Sequence, residues 1–236
     1  MDTSGRLIVS FHITKCAGQW LAKSIQDTYP PGTSTFLYQT RSNPSYESLG
    51  FLRAYFYFLP EPLRRTLRII HGHGAFWGIH EYFPDRKTEY SVMLREPVTR
   101  TISHYYYFRK SPGARDSRKS LFDKHGNLRT LSDWIIHTPS AQNHMVRFLY
   151  ARLFHREIEG NVTEREYRET LLRLRSFAFV GHIDRPGDKE KLLSFLDIQK
   201  PARPVNRSVR YAKPTQADIE HIQQMNEFDT RLYAET

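Results

Sequence analysis

The stretch "LIVSFHITKCAGQWL", beginning at Leu7, restricts the fold more than any other part of the chain. From Leu7 to Ile13 it is almost unbrokenly apolar and rich in branched side chains, the pattern of a parallel strand covered on both faces. Beyond a turn at Lys15 to Gly18, the residues Trp20, Leu21, Ile25 and Tyr29 recur at helical spacing until Pro30 and Pro31 stop them. Strand, short loop and helix in succession form a βα unit. Its loop presents unpaired N–H groups and the positive end of a helix dipole, which together suit an anion. The loop departs from G-x-x-x-x-G-K-[ST], because Lys15 precedes the small residues and no Ser or Thr follows it to hold Mg²⁺. That disfavours an ordinary metal-dependent nucleotide hydrolase and leaves phosphate binding open. The same residues also suit a tight βα turn with a surface lysine.

The rest of the chain repeats the alternation. "TSTFLY" (Thr33 to Tyr38), "RIIHGHGAF" (Arg68 to Phe76), "EYSVMLREP" (Glu89 to Pro97) and "FAFVGHI" (Phe177 to Ile183) read as strands. A polar turn with Asn43 and Pro44 and an aromatic helix from Tyr46 to Leu59 follow the second strand, and Pro60 and Pro62 end that helix. Pro97 suits the first turn of a helix carrying Arg100, Ser103, His104 and three consecutive tyrosines. Further helices are expected over Leu131 to His137, Ala141 to Phe154, Thr163 to about Arg175 and Lys189 to Leu196, with one more at the end of the chain. Thr163 is a candidate N-cap with Glu166 three residues on. Two charged segments, Arg109 to Lys119 and Pro201 to Pro214, read as exposed loops. Strands separated by helices indicate a single α/β domain over residues 1–236, with a mainly parallel central sheet flanked by helices. Ligands of such sheets bind beyond the carboxyl ends of the strands, where Lys15, His71 to His73 and Arg95 all fall.

Composition narrows the chemistry further. Lys and Arg total 35 against 25 Asp and Glu, a net charge of +10 that favours anionic partners without specifying which. Cys16 is the single cysteine, so there is neither an internal disulfide nor a cysteine-rich zinc site, and a reducing compartment is expected. No run approaches the roughly 20 apolar residues of a membrane span. The expectation is a soluble cytoplasmic protein, or the excised soluble catalytic domain of a longer one.

Taken together, three segments resemble motifs of the carbohydrate sulfotransferases that use 3′-phosphoadenylyl sulfate (PAPS), especially the heparan sulfate 2-O- and 6-O-sulfotransferase group and its bacterial relatives. "HITKCAGQW" is similar to H-I-P-K-T-G-G-T-[ST], "LREPVTRTISHYYY" to L-R-[DE]-P-x-x-R-x-x-S-x-Y-Y, and "HGHGAFW" to H-G-H followed by aromatics. Weaker echoes are "QNHMVRFL", "FAFVGHIDR" and "NRSVR". The resemblance implies a P-loop-NTPase-like sulfotransferase fold that moves a sulfuryl group from PAPS to an acceptor hydroxyl, releasing PAP, without a metal. It implies a donor site in which Lys15, Cys16, Ala17, Gly18, Gln19 and Trp20 surround the 5′-phosphate, while Arg95 and Ser103 grip the 3′-phosphate and Arg207 closes over the nucleotide. By the same resemblance Lys15 stabilises the leaving phosphate, His73 is the base, and His71 is its orienter or an acceptor contact. The acceptor is then a saccharide or another hydroxyl compound, acidic if the net charge reflects its site. Thr14, Cys16 and Ala17 differ from the family pattern, and Gln19 and Trp20 replace its hydroxyl pair. The 5′-phosphate grip would rest on backbone amides and Gln19, with Trp20 either in the core or over the donor.

Two other classes fit parts of the chain. A nucleotide or small-molecule kinase could use a divergent phosphate loop, and a basic nucleic-acid-binding module could stack bases on the tyrosines at 105 to 107.

Overall fold

The computed structural model describes residues 5–38, 48–110, 119–203 and 213–236. In chain order its elements are β1 (Arg6–Phe11), α1 (Gly18–Thr28), β2 (Ser34–Leu37), α2 (Leu49–Tyr57), the short α3 (Glu61–Thr66), β3 (Ile69–Gly72), β4 (Lys87–Leu94), α4 (Pro97–Lys110), α5 (Leu131–His137), α6 (His144–Phe154), α7 (Glu164–Leu174), β5 (Phe179–His182), α8 (Asp188–Phe195), α9 (Gln216–Met225) and α10 (Glu227–Glu235). The five strands form one parallel sheet in the order β2-β3-β1-β4-β5. The first strand is therefore central, with β3 on one side and β4 on the other.

The apolar run of β1 is explained by cover on both faces. Leu7, Val9 and Phe11 point into the larger core, which also holds Ile70, Tyr90 and Val92 of the sheet, Leu52 and Phe56 of α2, Met145 and Leu149 of α6, and Leu171 and Leu174 of α7. Ile8 points the other way and packs with Ile69 and Met93 against Leu21 and Ile25 of α1 and Leu192 of α8. Side chains alternate across a strand, so both faces of β1 must be apolar. A third cluster, remote from the sheet, joins α4, α5 and α9 through Tyr105, Tyr106, Trp134, Ile135 and Ile222.

Local capping follows the sequence where the signals are local. Glu166 accepts from the backbone N–H of Thr163 at 2.7 Å at the start of α7, the reciprocal arrangement expected of that Thr and Glu pair. Departures occur where partners are distant. The helix expected from Ala141 starts at His144, after a 3₁₀ turn over Pro139–Ala141 and a left-handed Asn143 at φ 47°. The terminal helix is broken at Asn226. These two breaks hold one another. Asn226 Oδ1 accepts from the Asn143 N–H at 2.9 Å, and Asn143 Oδ1 accepts from the Asp229 N–H at 3.1 Å. Asp229 in turn caps α6, accepting from the N–H groups of Met145 (3.0 Å) and Val146 (2.9 Å).

Candidate functional site

The loop after β1 reverses through two non-glycine residues in the left-handed region, Lys15 at φ 72° and Ala17 at φ 61°. Such conformations cost an L-residue roughly 1–2 kcal/mol each. Ala17 is the N-cap of α1 and supplies no side-chain acceptor, and no acidic residue lies in the first turn, so the positive end of the helix is uncapped by side chains. The side chains of the loop divide. Cys16 points into the larger core, where burial pushes its thiol up to about 12, so only its backbone faces outward. Trp20 packs on the α1 side of the sheet and donates its indole N–H to the Ala202 carbonyl at 2.9 Å, while Ser24 accepts from the Ala202 N–H at 3.0 Å. Trp20 thus packs against the cluster on that side while staying partly exposed. Gln19 is exposed.

Arg95 leaves the end of β4, the neighbour of β1, and reaches back to the same loop. Its Nη1 donates to the Lys15 carbonyl at 3.1 Å, and its Nε is buried without a hydrogen-bond partner among the described residues. Lys15 Nζ stands 4.2 Å from the centroid of the Tyr107 ring. Burial first, and then the charge of Arg95, pull the Lys15 ammonium down to about 8. Two cations thus press on one another. The N-terminus of α4 is not a second anion seat, because Glu96 fills it by accepting from the N–H groups of Val98 (2.8 Å) and Thr99 (2.7 Å). Ser103 lies further along α4, buried on the face shared with Arg100 and His104.

The histidines occupy the other side of β1. His71 sits beside Ser10 in the β1–β3 register. The Gly18 carbonyl can only accept, so Nε2 of His71 donates to it (3.4 Å) and Nδ1 accepts from the Ser10 hydroxyl (3.0 Å). Both ring nitrogens are engaged within the protein, and burial takes the imidazole down to about 4. His73 donates from Nδ1 to the His12 carbonyl at 2.6 Å, which leaves the lone pair on Nε2. Burial lowers its pKa also, so it is held neutral.

His12, which sequence reasoning did not single out, lies between these two. Its ring stacks on His73 at 4.2 Å and on His71 at 5.5 Å, within 18° of parallel to each, and Tyr38 meets all three rings edge-on. The signal was present, since His12 opens the segment "HITKCAGQW" and directly follows β1. Two glycines make the stack possible. A Cβ at Gly18 would stand 1.9–2.0 Å from three ring atoms of His12, and one at Gly72, whose φ is 145°, would meet the Leu37 carbonyl oxygen at 2.4 Å. His12 Nδ1 and Tyr38 Oη are buried without hydrogen-bond partners among the described residues. The stacked rings do not converge as ligands, and no group of three or more metal-binding side chains occurs among the described residues.

No family model matches the chain, and no curated protein does. Among solved structures it is similar to mouse sulfotransferase SULT7A1, crystallised with PAP, at 15% identity and a TM-score of 0.39. That likeness covers 86% of this chain and 62% of the other, so the chain spans less than two thirds of that protein's length.

The structure brings Lys15, Arg95, His71 and His73 to the adjacent carboxyl ends of β1, β3 and β4. Arg207 lies outside the described residues, as do most of the two loops expected at 109–119 and 201–214. The tyrosines at 105 to 107 form no stacking platform, because Tyr105 and Tyr106 are buried in the α4 cluster and only Tyr107 is exposed. No helix among the described residues is long and apolar enough to cross a membrane.

Proposed function

We propose that this chain is a sulfotransferase that moves a sulfuryl group from PAPS to an acceptor hydroxyl. The observation that carries the proposal is the meeting of three segments at the adjacent carboxyl ends of β3, β1 and β4, with Arg95 bonded to the Lys15 loop and His73 bonded to the His12 carbonyl. A doubly phosphorylated adenosine supplies the negative charge that the Lys15 and Arg95 pair lacks. In this assignment the outward-facing amides of the Lys15 to Trp20 loop and Gln19 hold the 5′-phosphate. Arg95 and Ser103 take the 3′-phosphate, and Arg207 approaches the nucleotide.

The acceptor oxygen attacks sulfur, its proton passes to Nε2 of His73, and the bond from sulfur to the bridging phosphate oxygen breaks. Charge developing on the departing phosphate is stabilised by Lys15. His71 acts as an orienter, since both its nitrogens are already engaged and it ties β3 to the start of α1. His12 positions His73 through its carbonyl and its stacked ring.

Thermal unfolding with PAP tests the donor assignment, because a ligand of the folded state alone must raise its stability. Saturating PAP should raise the midpoint; no shift with PAP, and a shift with ATP and Mg²⁺ instead, would overturn it. His73→Ala should lower turnover by about 10²–10⁴-fold while PAP affinity holds. Lost PAP affinity would remove His73 from the role of base.

A further inference from the structure

A cavity of about 280 Å³ lies among α4, α5 and the turn that precedes α6. Phe108, Trp134 and Ala141 form its apolar wall, and His104, Ser120, Thr138, Ser140 and His144 its polar one. Neither His73 nor Lys15 lines it, and one ring separates it from each. Phe148 meets both His73 (6.3 Å) and His144 (6.5 Å), and the Tyr107 ring beneath Lys15 touches Phe108 at 6.1 Å.

Three of the five polar residues of the wall present an unsatisfied atom. His104 Nδ1, Thr138 Oγ1 and His144 Nε2 are buried without hydrogen-bond partners among the described residues. Orphaned buried polar atoms are uncommon because each forfeits its hydration. Three around one cavity suit a polar occupant. The tautomer of His144 fixes part of its chemistry. Nδ1 donates to the Ser140 carbonyl at 3.1 Å, so Nε2 carries a lone pair that calls for a hydroxyl donor. Burial keeps both imidazoles neutral, His144 being taken down to about 3, and among the described residues no Asp, Glu, Lys or Arg lines the cavity. The volume equals that of roughly nine waters at about 30 Å³ each, room for one ring with its hydroxyls.

We infer that this cavity is the acceptor subsite and takes a single uncharged, hydroxyl-bearing ring, with Phe108 and Trp134 against its faces and Thr138 and His144 on its hydroxyls. The assignment rests on the sulfotransferase proposal for the role of acceptor, and on the cavity alone for the binding of a ring. It departs from the acidic glycan that the net charge suggests, since no cation among the described residues lines the cavity and the nearby buried Arg100 already faces the charge of Asp229.

The test is thermal unfolding of the full chain with phenol, methyl β-glucoside or heparin, each with and without PAP. Phenol or the glucoside should raise the midpoint, and whichever does so names the ring. Thr138→Val should raise the midpoint of the unliganded protein, since it removes an orphaned hydroxyl at nearly constant shape, yet weaken ring binding about five- to tenfold. Ala141→Leu should fill the cavity and abolish ring binding, with PAP affinity unchanged in both variants. The inference is overturned if neither neutral ring shifts the midpoint, if Thr138→Val binds the ring as the wild type does, or if only heparin binds. Ring binding that responds to Thr138→Val in a chain that ignores PAP would keep the cavity as a ring site and overturn its acceptor role together with the donor assignment.

Discussion

Gly18→Ala sets two physical effects against each other at the heart of the candidate site. Gly18 opens α1, and its carbonyl accepts from His71. Helix propensity alone favours the substitution, by up to about 1 kcal/mol in a helix interior and less at a first turn. Packing opposes it, because the added Cβ would stand 1.9–2.0 Å from Nε2, Cδ2 and Cε1 of His12. Ordinary contact begins more than 1 Å farther out, and His12 cannot swing aside without leaving its stack with His71 and His73. Overpacking of this kind costs roughly 1–3 kcal/mol, so the variant should be less stable. With a slope of roughly 2–3 kcal/mol per molar urea, the midpoint should fall by about 0.3 to 1.5 molar. The decisive measurement is a double-mutant cycle with His12→Ala, in which Gly18→Ala should become neutral or stabilising once the imidazole is gone. A single variant as stable as the wild type, or a cycle with no coupling, would refute the packing of His12 over the Lys15 loop and with it the positioning of His73.

Arg95→Ala should let the Lys15 ammonium titrate above its present value of about 8, and should weaken PAP binding about tenfold or more. The Lys15 titration is followed by pH-dependent reductive methylation, and an unmoved value would place the two charges farther apart than the bond to the Lys15 carbonyl implies. Asp229→Ala leaves two buried α6 amides without their acceptor, and should cost about 2–4 kcal/mol in urea unfolding. A loss below about 1 kcal/mol would show that the clasp between α6 and α10 is dispensable. Stability should fall as pH drops below about 6.5, because the unfolded chain then binds protons that His12, His71, His73, His104 and His144 refuse while folded. The decline should continue toward the folded values of about 4 for His71 and about 3 for His144. Urea midpoints that stay level between about pH 7 and pH 5 would contradict the burial of these rings.

The sequence by itself determined what depends on neighbours a few residues apart. The two-faced apolar run of β1, the Thr163 and Glu166 cap and the start of α4 at Pro97 are all set within single turns or strands. So is the placement of Lys15, His73 and Arg95 just beyond strand ends. Only the tertiary structure decided which strands lie side by side, and so brought Arg95 against the Lys15 carbonyl 80 residues earlier. It alone settled the lone pair of His73, which depends on a carbonyl 61 residues away, and the breaks at Asn143 and Asn226, which are stable because each supplies the bond the other lacks. Local propensity acts through the backbone of one segment, whereas these contacts come from burying both faces of one sheet, a condition that no short stretch of chain contains.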